Sequence, residues 1–99
     1  MQLSLFPKMS EIVPNWSPLE ILCKRYGTLH AFRQYGYDGI LDIDDFMWMH
    51  SWDDIQCYKH RMNRRYLNID NDGKFYRYLA EDGNYHKVSK FEAFEALFG

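Results

Sequence analysis

Ile55, Tyr58, Met62 and Tyr66 recur every three or four residues, the spacing of one face of an α-helix. They predict a helix that opens at Ser51-Trp52-Asp53-Asp54, carries acidic residues in its first turn and basic ones near its end, and runs to Leu67. Ser17-Pro18-Leu19-Glu20 announces an earlier helix, with Ser17 as cap, Pro18 at the first helical position and Glu20 completing a capping box. That helix is expected to reach Tyr26, where Gly27 ends or kinks it, and a second helical piece is expected from Thr28 to Tyr35. Asp42-Ile43-Asp44-Asp45 predicts a short helix through Met49. Strand-like runs at 74–79 and 85–88 flank Ala80-Glu81-Asp82-Gly83-Asn84, a β-hairpin signature with glycine in the loop. Ser89 and Glu92 form a last capping box, followed by Phe91, Phe94, Leu97 and Phe98 on the apolar face of a closing helix.

The expected fold class is therefore α+β: a small single domain with an N-terminal extended segment, several short helices, one β-hairpin and a C-terminal helix. Residues 1–16, interrupted by Pro7 and Pro14, read as an extended peptide and linker, and residues 17–99 as the globular domain. Ninety-nine residues leave no room for a second core.

Composition narrows the function. No apolar run approaches the length of a membrane span, and the first residues lack the basic head and apolar stretch of a signal peptide. Cys23 and Cys57 fall in helix-like segments without paired spacing and read as reduced core thiols, so a cytoplasmic setting is expected. A net charge of −2 argues against bulk nucleic-acid binding. The charge is polarised, however. Asp38, Asp42, Asp44, Asp45, Asp53 and Asp54 form an acidic half, followed by a basic block of Lys59, Arg61, Arg64 and Arg65 that can meet phosphates or an acidic partner. Its plain explanation is complementation of a helix dipole. Eighteen aromatic residues (8 Tyr, 7 Phe, 3 Trp) are more readily core than surface in so small a domain. Tyr35, Tyr37, Trp48, Trp52, Tyr76 and Tyr78 are the candidates for a protein-binding patch, which exposure of Trp48 or Trp52 would favour.

Catalytic and metal chemistry find little support. Asn68-Ile69-Asp70-Asn71-Asp72-Gly73 resembles the first half of a calcium loop, but opens on Asn and has Leu79 where the closing Glu belongs. Asp72-Gly73-Lys74 has the Asp-x-Lys spacing of metal-dependent nucleases, yet falls on a glycine turn. The four histidines show no zinc spacing with the cysteines. No enzyme, metal or cofactor is expected.

Gln2-Leu3-Ser4-Leu5-Phe6 carries the sharpest signal. It resembles, at all five positions, the Gln-Leu-Ser/Asp-Leu-Phe peptide by which bacterial replication and repair proteins dock on the DNA sliding clamp. Average residue usage gives such a match in one chain of this size with odds on the order of 10⁻⁴. Leu5 and Phe6 are adjacent apolar anchors, Leu3 adds a contact, Gln2 donates and accepts hydrogen bonds, and Pro7 keeps the segment out of regular structure. The bland alternative is a short edge strand with Leu3 and Leu5 on one face. The resemblance implies docking on the clamp. Small size, the lack of catalytic residues and the hook together lead to the expectation of a small non-catalytic inhibitor or adaptor at the replication machinery, with room for a second protein partner. Size with the hook leads to the expectation of a phage or mobile-element origin. The alternatives are a phage-type inhibitor of another host machine, such as host defence or transcription, and a winged-helix regulator that binds DNA through the basic block.

Overall fold

The computed structural model describes residues 13–26 and 41–99. Its centre is a five-stranded antiparallel sheet of β1 (Phe46–Trp52), β2 (Ile55–His60), β3 (Tyr66–Ile69), β4 (Phe75–Leu79) and β5 (Asn84–Val88), in spatial order β1-β2-β3-β4-β5. Helix α1 (Ser17–Arg25) precedes the sheet, a single 3-10 turn (Ile43–Asp45) leads into it, and α2 (Lys90–Phe98) closes the chain.

This corrects the expected fold class. The described residues are mostly strand, with two helices, rather than several short helices and one hairpin. The stretch expected as a helix from Ser51 to Leu67 comprises the end of β1, a tight Asp53-Asp54 turn, all of β2 and the start of β3. The Ile55, Tyr58, Met62, Tyr66 spacing is coincidental: β pairing puts Ile55 and Tyr58 on opposite faces, and Met62 lies in the β2–β3 turn. The turn closes because Asp53 adopts the left-handed backbone (φ 58°), a conformation that Asp tolerates better than most residues. The helix expected through Met49 stops after one turn, and its remainder is β1. The expected second helical piece, 28–35, lies outside the described residues.

Other local signals translate directly into structure. The hairpin loop around Gly83 (φ 68°) joins β4 to β5, with Tyr78 opposite Tyr85 and Tyr76 opposite Lys87. Ser89 Oγ accepts the Glu92 N–H at 3.1 Å while Glu92 Oε1 accepts the Ser89 N–H at 3.2 Å, a complete capping box. At α1 the cap is Trp16 rather than Ser17, and Asn15 Oδ1 accepts the Ser17 N–H.

Both helices cover one face of the sheet. Leu19 and Leu22 of α1 and Ala93, Phe94 and Leu97 of α2 join Phe46, Tyr58, Leu67, Ile69 and Phe75 in one core. Phe94 is fully buried, with its ring against Phe75 (centroids 5.5 Å) and Tyr26 (5.3 Å). Asn15 and Trp16, which fall in the expected linker, are held to this face. Tyr58 Oη donates to the Asn15 carbonyl at 2.6 Å, and the Trp16 and Tyr58 rings stack at 5.5 Å. Among the described residues no helix is long and apolar enough to cross a membrane.

His60 also lies on this face, edge-on to Phe46 and Phe98. Its Nδ1 accepts the Met62 N–H at 3.2 Å, so the neutral ring carries its proton on Nε2. Burial holds its pKa below the ordinary 6.5, against the opposing pull of Asp45. The unfolded chain therefore binds a proton at mildly acidic pH that the folded chain resists.

Two outcomes follow from this packing. Phe94→Ala should cost about 3–5 kcal/mol of stability in urea denaturation; a loss below about 1 kcal/mol would remove the ring from the centre of the core. The urea midpoint should fall as pH drops through 6.5, and His60→Leu should flatten that dependence; an equally steep dependence in the variant would exonerate His60.

Candidate functional site on the open sheet face

Strand alternation dictates what the second face presents. With Tyr58, Leu67, Ile69 and Phe75 turned to the core, their neighbours Cys57, Tyr66, Asn68 and Tyr76 must point the other way. Tyr78 follows on β4, and Tyr85 and Lys87 on β5 through their pairing with Tyr78 and Tyr76.

A β-bulge decides what β1 contributes. Phe46 pairs with His60 and Trp48 with Tyr58 on the core side, but the register shifts between Trp48 and His50. Beyond the shift His50 pairs with Cys57 and Trp52 with Ile55, so both belong to the open face. Simple alternation would have put Phe46, Trp48, His50 and Trp52 all on one side; the extra residue Met49 divides them. Trp48 stays against the core, where its Nε1 donates to Gln56 Oε1 at 2.8 Å.

The sheet also coils. Four strand spacings in a flat sheet would separate β1 from β5 by about 19 Å. Instead, His50 Nε2 on β1 lies 3.2 Å from Tyr85 Oη on β5, and the Cys57 thiol donates to the same oxygen at 3.3 Å. The open face thus supplies most of the lining of a cavity of about 630 Å³, including Trp52, Tyr66, Asn68, Tyr76, Tyr78 and Tyr85. Arg77, on the Phe75 side of β4, and Ala96 of α2 join it from the helix side. Trp52, Tyr66 and Tyr78 are 56%, 40% and 50% exposed, too much for core residues. Trp52 and Tyr78 both face Tyr85, with centroids at 6.4 and 5.2 Å.

Polar groups around the cavity differ in how fully they are used. Burial pushes the Cys57 thiol up despite its Tyr85 hydrogen bond, and burial followed by the Cys57 contact pushes the Tyr85 phenol up. Asp70 belongs to the β3–β4 turn: its Oδ1 accepts the Asp72 and Lys74 N–H groups at 2.9 Å each, and its Oδ2 accepts Tyr76 Oη at 2.7 Å. Burial alone would raise the Asp70 pKa, but these donors and the Lys87 charge hold it below the ordinary carboxylate range. The same bond to Asp70 raises Tyr76 to about 12. Asn68 is different. It is 6% exposed, and its Nδ2 donates to the Tyr76 carbonyl at 3.2 Å, yet its Oδ1 has no donor among the described residues. A buried acceptor left this way costs about 1–3 kcal/mol.

The residues expected to carry function fare unevenly. Gln2, Leu3, Ser4, Leu5 and Phe6 lie outside the described residues. The basic block is not a helix, so the recognition helix that a winged-helix regulator needs is missing from this segment. Nor do its cations converge. Lys59 sits over the Tyr66 ring at 5.9 Å, Arg61 Nε donates to the Asp44 carbonyl at 3.1 Å, and Arg65 donates to Gly99 and Ala96 carbonyls at the end of α2. Arg64 occupies the turn at φ 66°. Of the aromatic residues, Trp52, Tyr76 and Tyr78 line the cavity, Trp48 packs against the core, and Tyr35 and Tyr37 fall outside the described residues. Tyr66 was missed because it fell inside the segment expected as a helix and Asn68 because it opened the segment expected as a turn, while Tyr85, in an expected strand, was not singled out. Among the described residues no cluster of three or more His, Cys, Asp or Glu is placed to hold a metal ion.

No protein-family model matches the chain, and comparison with curated proteins and with solved structures gives no match either.

Cys57 sits at 0% exposure beneath this face with its pKa raised, so its reaction with a thiol reagent at mildly alkaline pH should be slow until urea unfolds the protein. Rapid reaction in the native state would mean that the face opens far enough to expose β2.

Proposed function

We propose that this chain is a non-catalytic binding protein with two docking elements. Residues 2–6 occupy the peptide pocket of the bacterial sliding clamp, and the open face of the sheet holds a second partner. The observation that carries the second element is the asymmetry of the sheet among the described residues: two helices cover one face, while the other supplies most of the lining of a cavity with three exposed aromatic side chains. Aromatic side chains held on rigid strands are effective anchors, giving large contact area at little entropic cost.

The first element is supported by the five-position match of Gln2-Leu3-Ser4-Leu5-Phe6. A non-catalytic role is supported by the use of the candidate nucleophiles and acids. Both thiols have raised pKa values, Cys23 to about 11, chiefly through burial, and Asp70 is committed to its turn. Asp72, of the Asp-x-Lys spacing, is an exposed turn residue. A protein with these two elements acts as an adaptor that brings its second partner to the clamp, or as an inhibitor that excludes other clamp ligands.

The hook is tested with purified clamp. The intact protein should bind at micromolar concentration or tighter, and Leu5→Ala with Phe6→Ala should abolish binding without altering thermal unfolding. Equal binding by the double variant would refute the hook and leave the inhibitor of another host machine as the account of the chain.

A further inference from the structure

Asn68 brings an unused hydrogen-bond acceptor to the cavity lining. Its orientation is fixed, because the amide nitrogen already donates to the Tyr76 carbonyl. The oxygen left over is buried and without a donor among the described residues, and Asn68 shares the cavity lining with Trp52, Tyr66 and Tyr78. An acceptor among aromatic side chains suits a flat, ring-shaped group that carries N–H on its edge.

Building on the open face as a docking surface, we propose that this face binds single-stranded nucleic acid, with unpaired bases stacked on its aromatic side chains and one base edge donating to Asn68 Oδ1. Asp70, Asp54 and Asp72 act on the Tyr76 phenol, but the charge in the lining itself is positive. Arg77 contributes a cation to the lining, and no carboxylate does so among the described residues. Lys59 lies over Tyr66 on the same face, and Lys87 pairs with Tyr76. The nearest buried acid, Asp70, has both carboxylate oxygens engaged by its turn and by Tyr76. Aromatic platforms interleaved with cations are how sequence-tolerant single-strand binders hold their ligand. The spread of the platforms selects a strand over a free nucleotide. Trp52 pairs with Ile55 and Tyr66 is opposite Lys59, an offset of four residues along β2 that corresponds to about 13 Å. One base does not reach both. A duplex is disfavoured because its bases are already stacked and their Watson–Crick edges paired.

The test is fluorescence anisotropy of a short fluorescein-labelled oligodeoxycytidylate titrated with the intact protein at low salt. Micromolar binding is expected, weakening as salt rises. Trp52→Ala and Tyr66→Ala, both exposed positions, should each weaken it about tenfold, and Trp52→Phe should restore most of the loss, with thermal unfolding unchanged in all three. Absence of binding by the wild type, unchanged affinity in both alanine variants, or equal binding of the matching duplex would overturn the proposal. So would deoxycytidine monophosphate competing as strongly as the strand, which would mark a nucleotide pocket. Clamp capture by the same wild-type preparation is measured alongside. Strand failure with clamp capture intact refutes only this inference, and clamp failure with strand binding intact refutes only the hook.

Discussion

Everything the described residues display depends on the register of β2 between its neighbours. Because side chains alternate along a strand, pairing Tyr58 with Leu67 and Gln56 with Ile69 puts Tyr58 beneath the helices and Cys57 on the opposite face. A slip of one residue would exchange the two sets, burying Lys59 and exposing Tyr58. The fully buried Tyr58, Phe46, Leu67 and Phe94 make that exchange costly. The register is thus enforced from the covered side, and the open side inherits whatever lies between the core positions.

That inheritance is selective because of Met49. The bulge keeps Phe46 and Trp48 in the core and turns His50 and Trp52 outward, and bulges also increase local twist. Coiling then brings the two edge strands close enough for His50 and Tyr85 to meet, with Cys57 beneath them. The same backbone irregularity places Trp52, the most exposed of the cavity's aromatic side chains, on the open face. Among the described residues two nine-residue helices cover one face of the sheet, and the other face keeps its exposed aromatic side chains.

Sequence alone conveyed the parts whose chemistry is local. Gly83 in its loop, the reciprocal Ser89 and Glu92 caps and the Pro18 helix start each act within a few residues, and each is present in the fold. The first two strands were hidden for a physical reason. Ile55, Gln56, Cys57 and Tyr58 are all buried, so β2 shows no alternation to read, and the Met49 bulge breaks the period of β1. The polarised charge completed the false helix: its acids belong to the turn at Asp53-Asp54, and its Arg65 serves the carbonyl end of α2, a distant element. A better signal was available in the aromatic content of 46–58, which favours strands, around a two-residue Asp-Asp turn. Of the candidate site, Trp52, Tyr76 and Tyr78 were legible as candidates for an aromatic patch, and exposure of Trp52 was the sign to look for. Asn68 was not, since only the pairing of β3 with β4 makes it a buried acceptor.

Two docking elements on one small chain make a specific physical claim: the clamp engages the N-terminal peptide and leaves the sheet face available to a second partner. Hydrogen–deuterium exchange of the protein with and without clamp tests it most directly. New protection should appear within residues 1–7 while the strands from Phe46 to Val88 keep their unbound exchange. Protection across those strands, with none over residues 2–6, would contradict the account and assign the clamp contact to the sheet.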